Sequence, residues 1–506
     1  MALILDGHHL TIEDVVKVAR QHEIVDLHPD AREKIAKCRE FLQKNIDSHT
    51  VMYGVNTGIG ELAEVALTDD QVKDFQKYLV YSHAAGFGDP IEEGDVRASI
   101  LSRVNMHCHG KSGLRPIVTE TLVAMLNKGV TPVMCQRGSV GACGDLSPMA
   151  QMAMVLIGEG EAFYKGERFP GAEAMKRAGV PTIEFKERDG LATINGSNVI
   201  TGSGSLLLGE CNMWLKMHDI TAAMTMEALN VNLKCMDHRL HEARGYKGAM
   251  TVASNIRRLT ADSEILANAS KKVQDAYSLR STPQVVGAAR DTMVFARQMF
   301  ETELNGVADN PIFFPEEDVV LTGANFQGTP MAFALEYMGI ATTTVSALSE
   351  RRLNRLLNVN LSVGLPAYLT KGAGMFSGLM LSQYTACQMV NENRVLCNPA
   401  ATGSIPAAAD QEDFVSMGMT SNIKMRQIMN NSYGILAIEL IAATQAIDFR
   451  EGEPGAGSKA AHDVVRKYVK HLDEDRPLYN DHNTMAEVVR SGEILEAVEK
   501  AIGKLD

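Results

Sequence analysis

Three glycines stand close together in the run 138–145, which reads Gly-Ser-Val-Gly-Ala-Cys-Gly-Asp. Glycine allows positive φ angles and close backbone approaches, at an entropic cost that is tolerated where the geometry has a use. If the amide nitrogen of Gly144 attacks the carbonyl carbon of Ala142 and water leaves, a five-membered imidazolone closes. Loss of hydrogen sulfide from Cys143 then leaves an exocyclic methylidene, a strong electrophile that no ordinary side chain supplies. Taken by itself, the run is also typical of a glycine-rich turn that holds a buried cysteine.

A second glycine-rich run, 52–60, presents a tyrosine and reads Met-Tyr-Gly-Val-Asn-Thr-Gly-Ile-Gly. It does not match a nucleotide-binding loop, because no Val/Ile-rich strand precedes it and the full G-x-G-x-x-G pattern is absent. The composition indicates a mobile loop. Tyr53 is a candidate general base, provided that neighbouring groups lower its pKa. The alternative is a loop tyrosine that only packs against its neighbours.

Polar side chains suited to binding a substrate recur in further short motifs. They are Tyr81-Ser82-His83, Ile194-Asn195-Gly196, Gln274-Asp275-Ala276-Tyr277-Ser278-Leu279-Arg280, Asp309-Asn310-Pro311, Asn325-Phe326-Gln327-Gly328 and Gln411-Glu412-Asp413. A guanidinium group has planar donors that match a carboxylate, so Arg280 suits the carboxylate of an amino acid. A lone histidine is more often structural, and an Asn-Gly pair is more often only a turn. The motifs by themselves therefore leave their chemistry open.

The run 138–145, followed by Leu-Ser-Pro-Met-Ala, resembles the ammonia-lyases and aminomutases that carry a self-made 4-methylidene-imidazol-5-one (MIO). Their pattern is Gly-Ser-Val-Gly-Ala-Ser-Gly-Asp-Leu, so Cys143 stands where the family usually has serine. Either side chain gives the same dehydroalanine-type product. The family also has the Tyr-Gly-Val-Asn-Thr-Gly run and a Tyr-Ser-x-Arg-x-x-Pro-Gln motif, which residues 277–284 match. The resemblance covers nearly the whole chain to about residue 450.

The resemblance implies a role for each motif. Residues Ala142, Cys143 and Gly144 would form the MIO without any external cofactor, Tyr53 would be the base, and Tyr277 would also be catalytic. Arg280, Asn195 and Asn310 would fix the substrate carboxylate. The remaining residues expected to bind the substrate are His83, Gln274, Phe326, Gln327 and Glu412.

The histidine branch of the family has Ser-His at residues 82–83 and glutamate at Glu412, whereas the phenylalanine and tyrosine branches usually have leucine and glutamine there. His83, Gln274 and Glu412 could hydrogen-bond both nitrogens of an imidazole. A phenyl ring would leave each of these groups unpaired at a cost of roughly 1–3 kcal/mol. The resemblance therefore implies elimination of ammonia from L-histidine to give trans-urocanate.

Other functions stay open at this stage. Gln327 is more typical of the phenylalanine and tyrosine branch, so a tyrosine or phenylalanine ammonia-lyase or a 2,3-aminomutase is the first alternative. If Cys143 does not cyclise, the protein could instead eliminate a good leaving group, such as the quaternary ammonium of a histidine betaine. A non-catalytic helical oligomer is the third alternative.

Long Ala-, Leu- and Met-rich segments with helical periodicity follow residue 199. Residues 422–448 predict one apolar stripe on a long helix, and Thr329-Pro330 predicts another helix start. We expect a mainly α protein, an elongated multi-helix bundle with a mixed N-terminal domain that carries the MIO loop. The resemblance implies the fumarase/aspartase-like superfamily. The predicted divisions are an N-terminal domain (1–198), a central bundle (199–450) and a C-terminal helical tail (451–506), with two amphipathic helices after a flexible linker.

The net charge of −13 over 506 residues argues against nucleic-acid or anionic-membrane partners. The eight cysteines lack Cys-x-x-Cys spacing, which favours a reducing, cytoplasmic location. No signal peptide is expected at the N-terminus, and no apolar stretch is expected to be long enough to cross a bilayer. No metal is expected. The adjacent residues His107-Cys108-His109 cannot all face one ion from a regular helix, and the sequence shows no second pair of ligands. The expected partners are a small amino acid and, by the resemblance, further copies of the chain in a homotetramer with shared active sites.

Overall fold

Helices dominate the structure, a computed structural model that describes residues 2–506 apart from the side chains of Asp69 and Lys73. The helices are α1 (Ile12–Gln21), α2 (Pro29–Asp47), α3 (Asp69–His83), α4 (Glu93–His107), α5 (Pro116–Lys128), α6 (Leu146–Leu156), α7 (Gly171–Ala178), α8 (Asp189–Ile194), α9 (Asn198–Ala228), α10 (His238–Glu242), α11 (Lys247–Leu259), α12 (Glu264–Asn268), α13 (Tyr277–Arg280), α14 (Thr282–Leu304), α15 (Thr329–Leu357), α16 (Met380–Leu396), α17 (Gly418–Ile447), α18 (Ala456–Tyr468), α19 (Tyr479–Ser491) and α20 (Glu493–Ile502). The prediction of a mainly α fold is confirmed.

The strands are short and form small separate sheets. They are β1 (Leu3–Leu5), β2 (Val25–Leu27), β3 (Phe87–Pro90), β4 (Val130–Pro132), β5 (Cys135–Arg137), β6 (Glu161–Tyr164), β7 (Glu167–Pro170), β8 (Ile312–Phe314) and β9 (Val319–Leu321). Strands β1 and β2 pair in parallel, with Leu3 opposite Val25. The β3–β5 pair, the β4–β6–β7 sheet and the β8–β9 hairpin are antiparallel. Every strand of the described chain lies in its first two-thirds, so the mixed character belongs to that part.

The chain divides into two compact units, each built from separate stretches of sequence. The first unit comprises residues 1–209, 296–336 and 399–423, and the second comprises residues 210–295, 337–398 and 424–506. The division of the chain into residues 1–198, 199–450 and 451–506 stays a prediction.

Helix α4 lies at the centre of the first unit and is buried on all its faces from Gly94 to His107. It packs against α1 and α5. Several of its polar side chains have internal partners: Arg97 donates to the carbonyl oxygens of Val18 and Leu126, and the Asn105 side-chain amide donates to that of Leu304. Burial without such partners would be costly, so these bonds allow a polar helix to form a core.

Three helices of the first unit, α3, α6 and α8, pack against one another. Helix α3 starts with a capping box between Thr68 and Gln71 and ends at His83. The glycine-rich run 138–145 leads directly into α6, and Asn195 follows the last residue of α8. The packing of these three helices therefore places three predicted site motifs at neighbouring helix ends: His83, the run 138–145 and Asn195.

The second unit contains most of α17, which begins at Gly418, four residues before the segment 422–448 for which the sequence predicted a long helix. The predicted stripe is buried, but so are Ile435, Ala437, Ile438, Ile441 and Ala442 on the other faces. The expectation of a single apolar stripe is therefore too narrow. Small and apolar residues all round the helix allow neighbours to pack on every side.

The C-terminal segment has three helices, α18 to α20, where two were predicted. Helices α18 and α20 pack against each other. The glycine-rich segment before α18 is held in place, since the Gly455 amide donates to Glu227 Oε1 at 2.7 Å. The glycine-rich composition of this segment predicted a flexible linker, whereas in the structure a hydrogen bond from its backbone holds it to Glu227.

One helix in the described part of the chain, α15, is long and apolar enough by composition to span a membrane. By length and composition, the expectation that no stretch is long enough to cross a bilayer is therefore wrong. However, 61% of its most apolar window is buried inside the structure, as in the core helix of a folded protein.

Candidate active site

The run 138–145 forms a tight turn with an unusual backbone. Gly141 and Gly144 face each other as an antiparallel bridge, so Ala142 and Cys143 form the tip of the turn. Cys143 has a φ of +52° and Gly144 a φ of +80°. A positive φ costs free energy in a residue with a side chain, so the surrounding contacts must hold Cys143 in this conformation.

The turn at Ala142–Gly144 is docked on the Asn195–Gly196 turn. The Gly196 amide donates to the Cys143 carbonyl oxygen at 3.0 Å, and the Asp145 amide donates to the Gly196 carbonyl oxygen at 2.9 Å. A Cβ atom at Gly144 would lie 2.0 Å from the Gly196 carbonyl carbon, so only glycine fits there. Backbone contact between the two turns thus fixes the position of Cys143.

Asp145 anchors the end of the turn at the start of α9. It is fully buried, and its carboxylate accepts from the Ser139 hydroxyl at 3.1 Å and from the Ile200 amide at 3.0 Å. Burial raises the pKa of Asp145 to about 6, while these donors act in the opposite direction.

Two adjoining cavities of the first unit meet at this turn and share Tyr53, Gly60, Cys143 and Glu412. The first has a volume of about 310 Å³, and His83, Leu146, Leu191 and Asn195 also line it. The second has a volume of about 450 Å³, and Asn310, Gly323, Phe326 and Gln411 also line it. Seven of the predicted site residues, from seven separate motifs, therefore line the two cavities: Tyr53, His83, Cys143, Asn195, Asn310, Phe326 and Glu412.

Glu412 contacts the turn directly. The Cys143 thiol donates to Glu412 Oε1 over a distance of 3.0 Å. Burial and the Glu412 charge both raise the pKa of Cys143, so the uncyclised cysteine is a neutral thiol and not a thiolate.

The loop that carries Glu412 has its own strained turn. Ala407 and Glu412 exchange backbone hydrogen bonds, and the three residues Ala408, Ala409 and Asp410 all have positive φ. Three consecutive non-glycine residues in this region are uncommon, and the strain is offset by contacts around the loop. Such strained segments cluster at functional sites.

Gln327 contributes one of these contacts. Its Nε2 donates to the Phe414 carbonyl oxygen at 3.3 Å, and its Oε1 accepts from the Thr329 hydroxyl at 3.1 Å. Among the described residues that line the two cavities, Gln327 does not occur. Its side chain is thus bonded to the loop two residues beyond Glu412, and its expected contact with the substrate stays a prediction.

Tyr53 lies in the loop between α2 and α3, and its hydroxyl oxygen accepts from the Gly60 amide at 3.0 Å. Burial, the largest cause, raises the pKa of Tyr53, whereas the Gly60 bond acts in the opposite direction. Within one copy of the chain the phenol therefore stays protonated at neutral pH. The lowered pKa that a base requires is not produced by the groups of this copy alone.

His83 lines the first cavity, and one of its ring nitrogens has fixed partners. Its Nδ1 lies 2.7 Å from the Leu79 carbonyl oxygen and 3.0 Å from the Ser82 hydroxyl. A carbonyl oxygen only accepts, so we assign the proton of the neutral ring to Nδ1. Nε2 is then left as an acceptor.

A buried pair of charges that the sequence analysis did not assign lies behind Asn195. Arg188 Nη2 donates to Asp309 Oδ1 at 2.8 Å, and both side chains are fully buried. The arginine also donates to the carbonyl oxygens of Ser112, Asn310 and Pro311. The only sequence signal was the charged Glu187-Arg188-Asp189 triplet directly before the apolar stretch that leads to Asn195.

Three predicted site residues, Gln274, Tyr277 and Arg280, belong to the second unit. The Arg280 guanidinium lies 4.6 Å from the centre of the Tyr277 ring, and the tyrosine is 73% exposed. None of the three is among the described residues that line the two cavities.

Comparison with known proteins identifies the group to which this site belongs. The family model described as aromatic amino acid lyase matches residues 10–467. The chain belongs to this family. Along its whole length it is also similar to the histidine ammonia-lyase of Alkaliphilus metalliredigens, with 43% identity over 503 residues and 99% of each chain covered. The predicted membership of the ammonia-lyases and aminomutases is therefore confirmed, and the protein is a carbon–nitrogen lyase.

Solved structures agree with this assignment. Tyrosine aminomutase from Streptomyces globisporus has a TM-score of 0.95 at 36% identity, with 100% of each chain covered. Histidine ammonia-lyase from Trypanosoma cruzi has a TM-score of 0.92 at 31% identity, with 99% of this chain and 96% of that chain covered. The predicted fumarase/aspartase-like fold is confirmed. The family includes both lyases and aminomutases, so the substrate must be argued from the site.

Proposed function

We propose that the protein eliminates ammonia from L-histidine to give trans-urocanate. The observation that carries this proposal is that His83 and Glu412 line the same 310 Å³ cavity as Cys143. Both groups offer acceptors, the His83 Nε2 and the Glu412 carboxylate, and an imidazolium ring has two N–H donors. The similarity to histidine ammonia-lyases supports the same substrate.

We also propose that Ala142, Cys143 and Gly144 form an MIO. The tight turn fits this group because Cys143 already has positive φ, Gly144 has no room for a side chain, and the thiol is a possible leaving group. Ring closure expels one water, and elimination across Cα–Cβ of Cys143 expels hydrogen sulfide. When formed, the ring supplies an electrophile for the substrate's amino nitrogen, which is otherwise a poor leaving group.

The chain's own side chains bind the substrate and move its proton. Tyr53 takes the proton from Cβ as the Cα–N bond breaks, and Arg280 and Asn310 bind the carboxylate. A cation near the phenol would lower the pKa that burial raises in one copy of the chain. Arg280 of a second copy supplies that cation in this proposal. Tyr277 and Gln274 come from the same segment as Arg280, and Phe326 packs beside the substrate.

This assignment of Arg280 requires that several copies share each site. We propose a homotetramer in which the segment 274–280 of one copy completes the cavities of another. The support is that these residues line neither cavity within the described part of one chain, whereas seven other predicted site residues do. The eight free cysteines suit a reducing compartment, so we propose that the enzyme works in the cytoplasm.

The ring is tested first by the intact mass of the purified protein. The mass should be lower than that of the unmodified chain by one water plus one hydrogen sulfide. A Cys143→Ser variant is the matched control, because it should lose two waters and keep activity. Cys143→Ala should keep its full mass and lose turnover. An unmodified mass in active wild-type protein would contradict the MIO and support the ring-free elimination from a betaine.

The substrate is tested by incubation with L-histidine, L-tyrosine and L-phenylalanine while the ultraviolet absorbance is recorded. We expect urocanate to form, and cinnamate or coumarate without urocanate would contradict the proposal. A His83→Leu variant should lose activity on histidine by about 10-fold or more, since one buried hydrogen bond to a polar ring is lost, and should gain relative preference for an aryl ring.

Shared sites are tested by mixing two inactive variants. Tyr53→Phe and Arg280→Ala, co-expressed in one cell, should form hybrid tetramers in which some sites contain both native residues. Activity should then reappear, whereas each variant expressed alone stays inactive. No recovery in hybrids shown by mass spectrometry to contain both chains would place both residues of a site on one chain.

A further inference from the structure

The side-chain amide of Asn195 is oriented by two partners that can only accept hydrogen bonds. Its Nδ2 donates to Asp309 Oδ1 at 3.0 Å and to the Asn310 carbonyl oxygen at 3.0 Å. Because both partners are acceptors, the nitrogen and not the oxygen of the amide must face them. Both amide hydrogens are therefore used, and only Oδ1 is left for a ligand.

Asn195 lines the first cavity together with Cys143. Within the described residues no donor is bonded to its Oδ1, although its amide nitrogen makes two hydrogen bonds. A carbonyl oxygen can accept from an ammonium or amine but cannot pair with a carboxylate, which also only accepts. The expected contact between Asn195 and the substrate carboxylate is therefore chemically unfavourable in this orientation.

We propose that Asn195 binds the α-amino group of the substrate through Oδ1, and that the Arg188–Asp309 pair orients its amide for this purpose. The inference rests on the proposed amino-acid lyase function. It reassigns one residue of that site and adds two positioning residues.

The location of Asn195 agrees with this assignment. The next residue, Gly196, donates to the Cys143 carbonyl oxygen and accepts from the Asp145 amide. Asn195 therefore directly precedes the backbone that bonds to the turn at Cys143. The departing nitrogen must lie at that turn, so an acceptor there can hold its hydrogens.

Asn310 has the opposite orientation. Its Oδ1 accepts from the Gly323 amide at 2.9 Å, so its Nδ2 is the group left for a ligand. Asn310 lines the second cavity. The two asparagines therefore present opposite hydrogen-bonding groups: Asn310 has donors for a carboxylate, and Asn195 has an acceptor for an amine.

The Arg188–Asp309 pair explains why the Asn195 amide keeps this orientation. Asp309 Oδ1 accepts three hydrogen bonds: from the Arg188 guanidinium at 2.8 Å, from the Asn195 side-chain amide at 3.0 Å and from the backbone N–H of Asn310 at 2.7 Å. Arg188 also donates to the Asn310 carbonyl oxygen, which is the second acceptor for Asn195. A reversed amide would bring its oxygen against two acceptors that are held by the same guanidinium, which is unfavourable.

The proposal is tested with two probes that each lack one group of the substrate. For L-histidine these are histamine, which lacks the carboxylate, and 3-(imidazol-4-yl)propionate, which lacks the amine. Their dissociation constants are measured by calorimetry, which does not need turnover. If the wild-type enzyme acts on tyrosine instead, tyramine and 3-(4-hydroxyphenyl)propionate replace them, so an error in the substrate is distinguished from an error in this assignment.

The Asn195→Ala variant should weaken binding of the amine probe by about 10- to 100-fold, as expected for a hydrogen bond to a charged group, and leave the carboxylate probe within about threefold. Asn310→Ala should do the reverse and serves as the matched control. Equal weakening of both probes in Asn195→Ala, or a larger effect on the carboxylate probe, would overturn the proposal.

The positioning role is tested at Asp309, whose Oδ2 is buried without a hydrogen-bond partner. Asp309→Asn keeps an acceptor at Oδ1 and should retain binding of the amine probe. Asp309→Leu removes that acceptor and should reproduce the selective loss seen in Asn195→Ala. Binding of the amine probe by Asp309→Leu at the wild-type level would refute the positioning role, and if that variant does not fold, the Asn195 and Asn310 measurements still decide the main assignment.

Discussion

Replacement of Arg188 by methionine should be one of the most destabilising single changes in the first unit. The side chain is fully buried and donates to Asp309 Oδ1 and to three carbonyl oxygens. Methionine fills a similar volume but leaves the Asp309 carboxylate buried without its cation. Removal of one partner of such a pair costs about 3–5 kcal/mol, so we expect a loss of that size in the free energy of unfolding.

The matched control is Arg168→Met, because Arg168 pairs with Glu161 on the surface, where the two side chains are 46% and 49% exposed. That change should cost less than about 1 kcal/mol. The assay is urea unfolding followed by circular dichroism, with all variants at one protein concentration. A double variant, Arg188→Met with Asp309→Asn, should recover part of the stability, since no charge is then left unpaired.

The reasoning would be refuted if Arg188→Met cost no more than Arg168→Met. It would also be refuted if the double variant were as unstable as the sum of its single changes, because the two side chains would then not interact. Either result would also remove the support that this pair gives to the orientation of Asn195.

Three further predictions concern the site and its pH dependence. Gly144→Ala should abolish both the mass loss and turnover, because its Cβ would lie 2.0 Å from Gly196, and intact mass measures this. Burial raises the pKa of Glu303 from 4.5 to about 6, because the folded protein favours the protonated, neutral carboxyl. The stability that protonation of Glu303 gives the folded state is therefore complete below about pH 4.5 and is lost as the pH rises through 6. Glu303→Gln should therefore raise the free energy of unfolding at pH 7.5 by about 2 kcal/mol and have little effect at pH 4, and equal unfolding midpoints of the two proteins at pH 7.5 would contradict this. Gln327→Met should raise KM about fivefold for histidine and for any weaker aryl substrate alike, because it loses one hydrogen bond to the Phe414 carbonyl; a change in preference between substrates would instead indicate ring contact.

Local sequence was enough to predict the tight glycine-rich turn at 138–145 and the long helices. The chemistry of the run 138–145 depends on residues that are adjacent in the chain, and helical periodicity depends on spacings of three and four. Both properties are local, so they can be predicted without knowledge of distant contacts. The same is true of α15, which begins at the predicted Thr329-Pro330 start, and of α17, which begins four residues before the predicted segment 422–448.

Properties that depend on packing were predicted less well. The composition of residues 452–458 indicated a flexible linker, but a hydrogen bond from Gly455 to the distant Glu227 holds this segment. Tyr53 was a candidate base on the condition that neighbouring groups lower its pKa, but burial raises that pKa in one copy of the chain. Burial and long-range bonds are results of the fold, and the sequence near each residue does not contain them.

The sequence by itself determined which side chains could serve the reaction, because the motifs name tyrosine, histidine, cysteine, asparagine and glutamate in a family pattern. Only the tertiary structure decided how those side chains are oriented and which hydrogen-bonding atom each one presents. Asn195 receives its orientation from Asp309, which lies 114 residues away, and Gln327 bonds to Phe414, 87 residues away. A side-chain amide can act as a donor or as an acceptor, and the choice is made by partners that only folding brings within hydrogen-bonding distance.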